Sequence, residues 1–145
     1  MAEKKPQTFA NHSRFDPLFH FFIGPVFIIS TVAAIVLFVM HPSVHSGWHF
    51  VLIAAATVAI FKIRLYALRV QDRVIRLEER LRLASLLPEP LPSRIPELTE
   101  GQLIALRFAS DAELPKLTER TLSEKLAPPY IKKSIQVWRP DYWRV

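Results

Sequence analysis

Two long apolar stretches dominate the first half of the chain. The first, residues 18–40, contains no Asp, Glu, Lys or Arg. About 20 apolar residues in a helix cross a bilayer, so this stretch predicts a transmembrane helix. Residues 50–87 predict a second span that continues beyond the membrane as one amphipathic helix, because no Gly or Pro interrupts it. Residues 41–49, which include Pro42 and Gly47, predict the turn between the two helices.

Beyond residue 60 the apolar positions of the second helix follow the three-four spacing of a coiled coil. This spacing is typical of a seam between two helices, and in a parallel dimer Arg73 would lie opposite Glu78 of the second chain. Other apolar residues, such as Ile75 and Leu83, widen the stripe, as in a helix packed inside a globular domain. Self-association and packing within the chain therefore both remain open. The predicted self-association seam consists of Val70, Val74, Leu77 and Leu81.

The remainder of the chain is rich in proline and charge. Four prolines within residues 88–98 end the long helix and predict an extended, semi-rigid linker. Residues 99–145 predict a small helical unit, with capping boxes at Thr99 and Ser110 and a third short helix from Tyr130 to Trp138. A core this small is marginal, so we expect it to rest on the preceding helix or on a partner. Its predicted core residues are Leu98, Leu103, Leu106, Phe108, Leu114, Leu117 and Leu122.

The fold class that follows is all-α, with a two-helix transmembrane hairpin. Of the 19 Lys and Arg residues, none lies in 41–49, whereas both flanking ends carry several. The positive-inside rule then places residues 1–17 and the C-terminal part in the cytoplasm and the turn outside. We predict a multi-pass membrane protein with both termini cytoplasmic. Basic residues just beyond the second span predict contact with anionic lipid headgroups; they are Lys62, Arg64, Arg69 and Arg73.

Composition excludes several kinds of chemistry. The chain has no Cys, which excludes disulfides, Cys-ligated zinc and cysteine nucleophiles. It has three Gly and neither GxGxxG nor GxxxxGK[ST], the loops that hold phosphates. No ionisable residue lies in the middle of either span, and no motif that reads nucleic acid accompanies the positive charge. We therefore predict neither catalysis nor nucleic-acid binding.

The predicted external turn carries His41, His45 and His49, spaced four residues apart. On a helix these side chains would share one face, and imidazole binds zinc, copper or haem iron. Pro42 and Gly47 argue against a regular helix there, and no second class of ligand accompanies the histidines. A protein that binds metal or haem through these histidines is the alternative; the main prediction has no cofactor and no metal site.

Three further segments recur as recognisable motifs. They are Asn11-His12-Ser13-Arg14 with Pro17 and His20, then residues 71–78 (QDRVIRLE), then residues 102–111 (QLIALRFASD). Together they resemble a family of short bacterial two-span membrane proteins of unknown function. The resemblance covers nearly the whole chain and implies the two-span architecture, without an activity, a ligand or a catalytic residue. The predicted function is a non-enzymatic accessory or scaffold protein of the bacterial inner (plasma) membrane, either self-associating or a subunit of a larger membrane complex.

Overall fold

The computed structural model describes residues 6–11 and 16–141 of the chain. Within these ranges the protein is all-helical, as predicted, with one isolated β-bridge between Ala109 and Trp138. The helices follow each other as a π-helical turn (Phe19–Ile23), α1 (Gly24–Met40), α2 (Val44–Leu86), a 3₁₀ helix (Leu91–Glu97), α3 (Glu100–Leu106), α4 (Leu114–Glu124) and α5 (Pro128–Ser134). They form two compact units, and α2 contributes to both. The hairpin unit comprises the described residues 16–69, and the cap unit comprises 6–11 and 70–141.

The hairpin unit contains α1 and the first half of α2. Two helices, Phe19–Met40 and Val44–Leu86, are long and apolar enough to cross a membrane. Many of their large apolar side chains, such as Ile29, Val39 and Val58, are exposed rather than packed within the chain. Exposed apolar surface on this scale is unfavourable in water, so these faces require a cover that the described chain does not provide.

A pair of threonines joins the two helices of the hairpin. The hydroxyl oxygens of Thr31 and Thr57 lie 2.8 Å apart. Each hydroxyl also contacts a carbonyl one turn earlier in its own helix. Thr31 lies 2.9 Å from the Phe27 carbonyl, and Thr57 lies 2.9 Å from the Ile53 carbonyl. Polar side chains of this kind connect helices in an apolar surrounding, where no water competes for the hydrogen bond.

The turn between the helices is shorter than predicted. Residues 41–49 were expected to be a turn, but α2 begins at Val44. The reason is local capping: the Ser46 N–H donates to the Ser43 hydroxyl at 3.1 Å, and the Ser43 N–H donates to the Ser46 hydroxyl at 3.0 Å. Gly47 lies inside the helix because Phe38 packs there, and a Cβ at this position would be 3.2 Å from the Phe38 ring.

The cap unit has a small hydrophobic core between the end of α2 and the short helices. All seven predicted core residues are buried. Leu83 and Leu87, at and just after the end of α2, belong to the same core. The expectation that the cap rests on the preceding helix is therefore confirmed. The core residues with no exposed surface are Leu83, Leu103, Ala105, Leu106, Phe108, Ala109, Leu114 and Ile131.

The prediction that residues 88–98 form an extended linker is wrong. It contains the 3₁₀ helix Leu91–Glu97, which buries Leu91 and Ile95 against the core. Both residues belong to the same hydrophobic core as Leu83 and Leu87. Burial of two large apolar side chains thus outweighs the preference of a proline-rich segment for an extended chain.

The helix starts of the cap are partly as predicted. The capping box at Thr99 is confirmed, with both reciprocal hydrogen bonds to Gln102 present. The box expected at Ser110 is present in part: the Glu113 carboxylate accepts the Ser110 N–H at 3.2 Å, although α4 begins only at Leu114. The same carboxylate also accepts the N–H groups of Gln136 and Val137 at 3.1 and 3.3 Å. The last helix, Pro128–Ser134, is shorter than predicted, and Trp138 packs on Phe108 from an extended segment.

Residues 6–11 belong to the cap unit. The Gln7 side chain donates to the Asp141 carbonyl at 3.0 Å and accepts from the Asp141 N–H at 2.9 Å. Lys133 lies 5.7 Å from the centre of the Phe9 ring. The chain therefore leaves the cap unit before the hairpin and returns to it afterwards.

Candidate interaction surface

One face of the distal part of α2 is buried in the cap unit. Ile75, Glu79 and Leu83 lie on this face, and Leu83 has no exposed surface. The three residues are spaced four positions apart, so they follow one side of the helix. Packing within the chain, one of the two possibilities that the apolar pattern left open, therefore occurs on this face.

The predicted seam lies on another face of the same helix and is not covered. Val70, Val74, Leu77 and Leu81 are 62%, 48%, 61% and 65% exposed. Full burial of a Val or Leu side chain contributes about 1.5–3 kcal/mol relative to full exposure, so covering each of these would contribute roughly 1 kcal/mol. The seam is thus an apolar strip that would gain from a partner.

A polar network fixes the rotation of α2 against the cap. Arg82 contacts the Glu79 carboxylate at 3.0 Å, and its other terminal nitrogen contacts Asp111 at 2.5 Å and the Ala109 carbonyl at 2.7 Å. Burial raises the pKa of Glu79, and the Arg82 charge opposes this shift only in part. The hydrogen bond from Arg82 lowers the pKa of Asp111. Because these contacts join α2 to the segment before α4, they hold the seam outward.

Two further ion pairs hold the cap unit together. Arg76 pairs with Glu100 at the start of α3. The Nε atom of Arg107 lies 3.3 Å from the Asp141 carboxylate, and Arg107 itself is buried. Several arginines of the cap therefore already have acidic partners inside the unit, which makes them structural.

Opposite charges flank the exposed seam. Arg73 lies at a g position of the heptad, beside one edge of the seam, and Glu78 lies at an e position, beside the other edge. Both side chains are exposed, and neither forms an ion pair with another residue in the described part of the chain. On the Glu78 side a cleft of about 970 Å³ borders the seam, and Arg139 and Pro140 line its other wall.

The four residues predicted to contact lipid headgroups do not behave alike. Lys62, Arg69 and Arg73 are exposed. Arg64 is partly buried, forms an ion pair with Asp16 at 3.2 Å and lies 4.7 Å from the centre of the Phe19 ring. These contacts join the start of the hairpin to its second helix, and contact of Arg64 with lipid stays a prediction.

The histidines do not form a metal site in the described structure. His41 ends α1, whereas His45 and His49 lie one turn apart on α2, both exposed. The expectation that Pro42 and Gly47 prevent a helix here is wrong, for the capping reason given above. Even so, the residues that the structure describes contain no group of three potential ligands able to hold a metal ion.

Sequence reasoning missed the residues that orient the surface. Glu79 lies in register with Ile75 and Leu83, so an acidic residue within an apolar row was the available signal for a buried ion pair. The Asp111 partner is 29 positions away from Arg82, and no local pattern connects them. The contact between Gln7 and Asp141 likewise has no signal in the sequence.

Comparison with known proteins gives a family but no activity. No curated protein and no solved structure matches this chain. A family model does match, and it covers residues 1–145; its description is "Family of unknown function". The sequence motifs likewise resemble those of a family that has no assigned activity. The chain belongs to the family of unknown function DUF6526.

Proposed function

We propose that this protein is a non-enzymatic accessory or scaffold protein of the bacterial inner membrane that holds a protein partner on the α2 seam. The observation that carries this proposal is the exposure of Val70, Val74, Leu77 and Leu81 while another face of the same helix is buried in the cap. Contiguous exposed apolar surface rimmed by polar residues is typical of protein interaction sites.

The membrane location is supported by the hairpin. Its apolar side chains are exposed along two helices of sufficient length, and the hydrocarbon of a bilayer is a cover that suits them. Residues 6–11 and 70–141 belong to one cap unit, which supports an even number of crossings between them. The positive-inside rule then favours a cytoplasmic cap, with Lys62, Arg69 and Arg73 available to anionic lipid.

The partner of the seam is either a second copy of the chain or a subunit of a larger membrane complex. A non-enzymatic role is supported by the way the charged groups of the cap are used. Glu79, Arg82 and Asp111 bind one another and join helices, which is a structural function. The histidine-based alternative gains no support from the described residues, among which no three potential ligands lie together.

The test is affinity purification of the tagged full-length protein from native membranes that are chemically cross-linked before detergent is added, with two matched variants. Val74→Lys places a charge in the seam, whereas Val137→Lys makes the same change at a cap position that is 62% exposed. We expect Val74→Lys to lose the associated chains, its own copies included, and Val137→Lys to keep them. Both variants should retain the thermal unfolding of the native protein. Equal association of the native protein and Val74→Lys would overturn the proposal.

A further inference from the structure

We infer that the partner on the seam is a second copy of this chain, bound in parallel and in register, with Arg73 of each copy paired to Glu78 of the other. This inference rests on the proposed function and specifies its partner. The surface, its occupant and the orientation of the two helices each follow from a separate feature of the molecule.

The orientation follows from the anchoring of the helix. The seam belongs to α2, and the same helix contains the second candidate membrane span. Two copies inserted in one bilayer with one topology therefore present their seams in the same direction and at the same height. Each seam residue then meets its own counterpart, as in a closed two-fold interface.

The seam side chains suit a coiled coil of two helices. Val74 occupies an a position and Leu77 the following d position, and a β-branched residue at a with Leu at d favours parallel dimers. Val70 and Leu81 extend the strip at each end, and no charged residue interrupts it. A strip from residue 70 to residue 81 is about 16 Å long, at 1.5 Å per residue.

Charge complementarity selects a second copy over an unrelated helix. In a parallel pair, Arg73 at a g position faces Glu78 at the following e position of the other chain. The two-fold axis produces this ion pair twice. Within the described part of the chain neither residue has another ionic partner, so forming the pair breaks no existing one. The cleft beside Glu78 leaves space for the incoming arginine side chain.

The short seam explains why the membrane matters. A strip of four half-exposed residues is small compared with interfaces that are stable in dilute solution. Confinement to one bilayer raises the effective concentration of the second copy, which strengthens binding without any added contact. The dimer should therefore form in membranes and dissociate when the protein is diluted into detergent.

Disulfide cross-linking in native membranes tests the contact directly, because the chain has no cysteine of its own. Val74→Cys and Leu77→Cys place thiols in the seam of the full-length protein, and Val137→Cys is the exposed control. With a mild oxidant, we expect both seam variants to form linked dimers at least tenfold faster than Val137→Cys. Similar rates at all three positions would overturn the inference.

Charge reversal tests the orientation. In the Leu77→Cys background, Arg73→Glu or Glu78→Arg alone turns two attractive pairs into two repulsive ones, and the linked fraction should fall about five- to tenfold. The double variant restores opposite charges across the interface and should restore cross-linking. Copies held together only through their membrane spans would show no such rescue, and that outcome would overturn the paired arrangement.

The two proposals fail in different ways. If Val74→Lys releases other proteins in the affinity purification while the seam cysteines never cross-link, the homodimer is wrong and the scaffold function stands. If Val74→Lys releases nothing and the cysteines do not cross-link, both proposals are wrong. Linked dimers that survive both single charge reversals would overturn the Arg73–Glu78 pairing.

Discussion

Leu81 and Leu83 provide a sharp test of the helix orientation, because they lie two residues apart on different faces of α2. Leu83 has no exposed surface, whereas Leu81 is 65% exposed. Leu83→Ala removes buried groups and leaves a cavity, which costs about 2–5 kcal/mol of the free energy of unfolding. Leu81→Ala, in the dissociated protein, should change this free energy by no more than about 0.5 kcal/mol. For a unit of this size each kcal/mol lowers Tm by about 4–8 °C, so Leu83→Ala should lower Tm by at least ~8 °C.

The assay is thermal unfolding of the full-length protein, diluted into detergent and followed by the fluorescence of Trp138. This residue reports on the cap core, since its ring lies 5.1 Å from that of Phe108. The chain has three tryptophans, so Trp48→Phe and Trp143→Phe leave Trp138 as the single fluorophore. An equal loss of stability in Leu81→Ala and Leu83→Ala would refute the orientation of α2, and with it the exposed seam.

Three other substitutions probe the interior of the cap. Burial raises the pKa of Glu79, so the folded state binds the proton of this carboxyl more tightly than the unfolded state does. Relative to Glu79→Gln, the native protein should therefore gain stability as the pH falls through that pKa towards about 4.5. A Tm difference measured across pH that changes in the opposite direction would contradict this. Arg82→Met should cost about 3–5 kcal/mol in denaturant unfolding, because Glu79 stays buried without its partner, and adding Glu79→Gln should recover part of the loss. The Thr118 hydroxyl is buried without a hydrogen-bond partner in the described structure. Thr118→Val should therefore raise the free energy of unfolding by about 1 kcal/mol. A lower Tm would mean that the hydroxyl forms a hydrogen bond in the native protein.

The features that the sequence predicts well are those with a local physical cause. The Thr99 capping box was predictable because both of its hydrogen bonds lie within four residues. The leucines of the cap core were predictable from their spacing, which places them on one side of each short helix. The same spacing identified Val70, Val74, Leu77 and Leu81 as one stripe of α2, which the structure leaves exposed; its self-association stays a prediction.

The features that it missed depend on distant partners. Gly47 reads as a turn residue, but it serves the close approach of Phe38 within a helix. The prolines of 88–98 read as an extended linker, but Leu91 and Ile95 gain more from a core that other helices complete. On α2 the apolar stripe was too broad to assign, because which part becomes buried depends on Asp111 and the cap helices.

The two apolar faces of α2 are coupled through the cap. The buried face binds the cap core, and Arg82 fixes the rotation at which it does so by contacting both Glu79 and Asp111. That rotation in turn decides which residues remain exposed for a second copy. Without the cap, Ile75 and Leu83 would form a second exposed apolar face on α2, which would compete with the seam for a partner helix. The proposed pairing of Arg73 with Glu78 therefore depends on a folded cap in each chain.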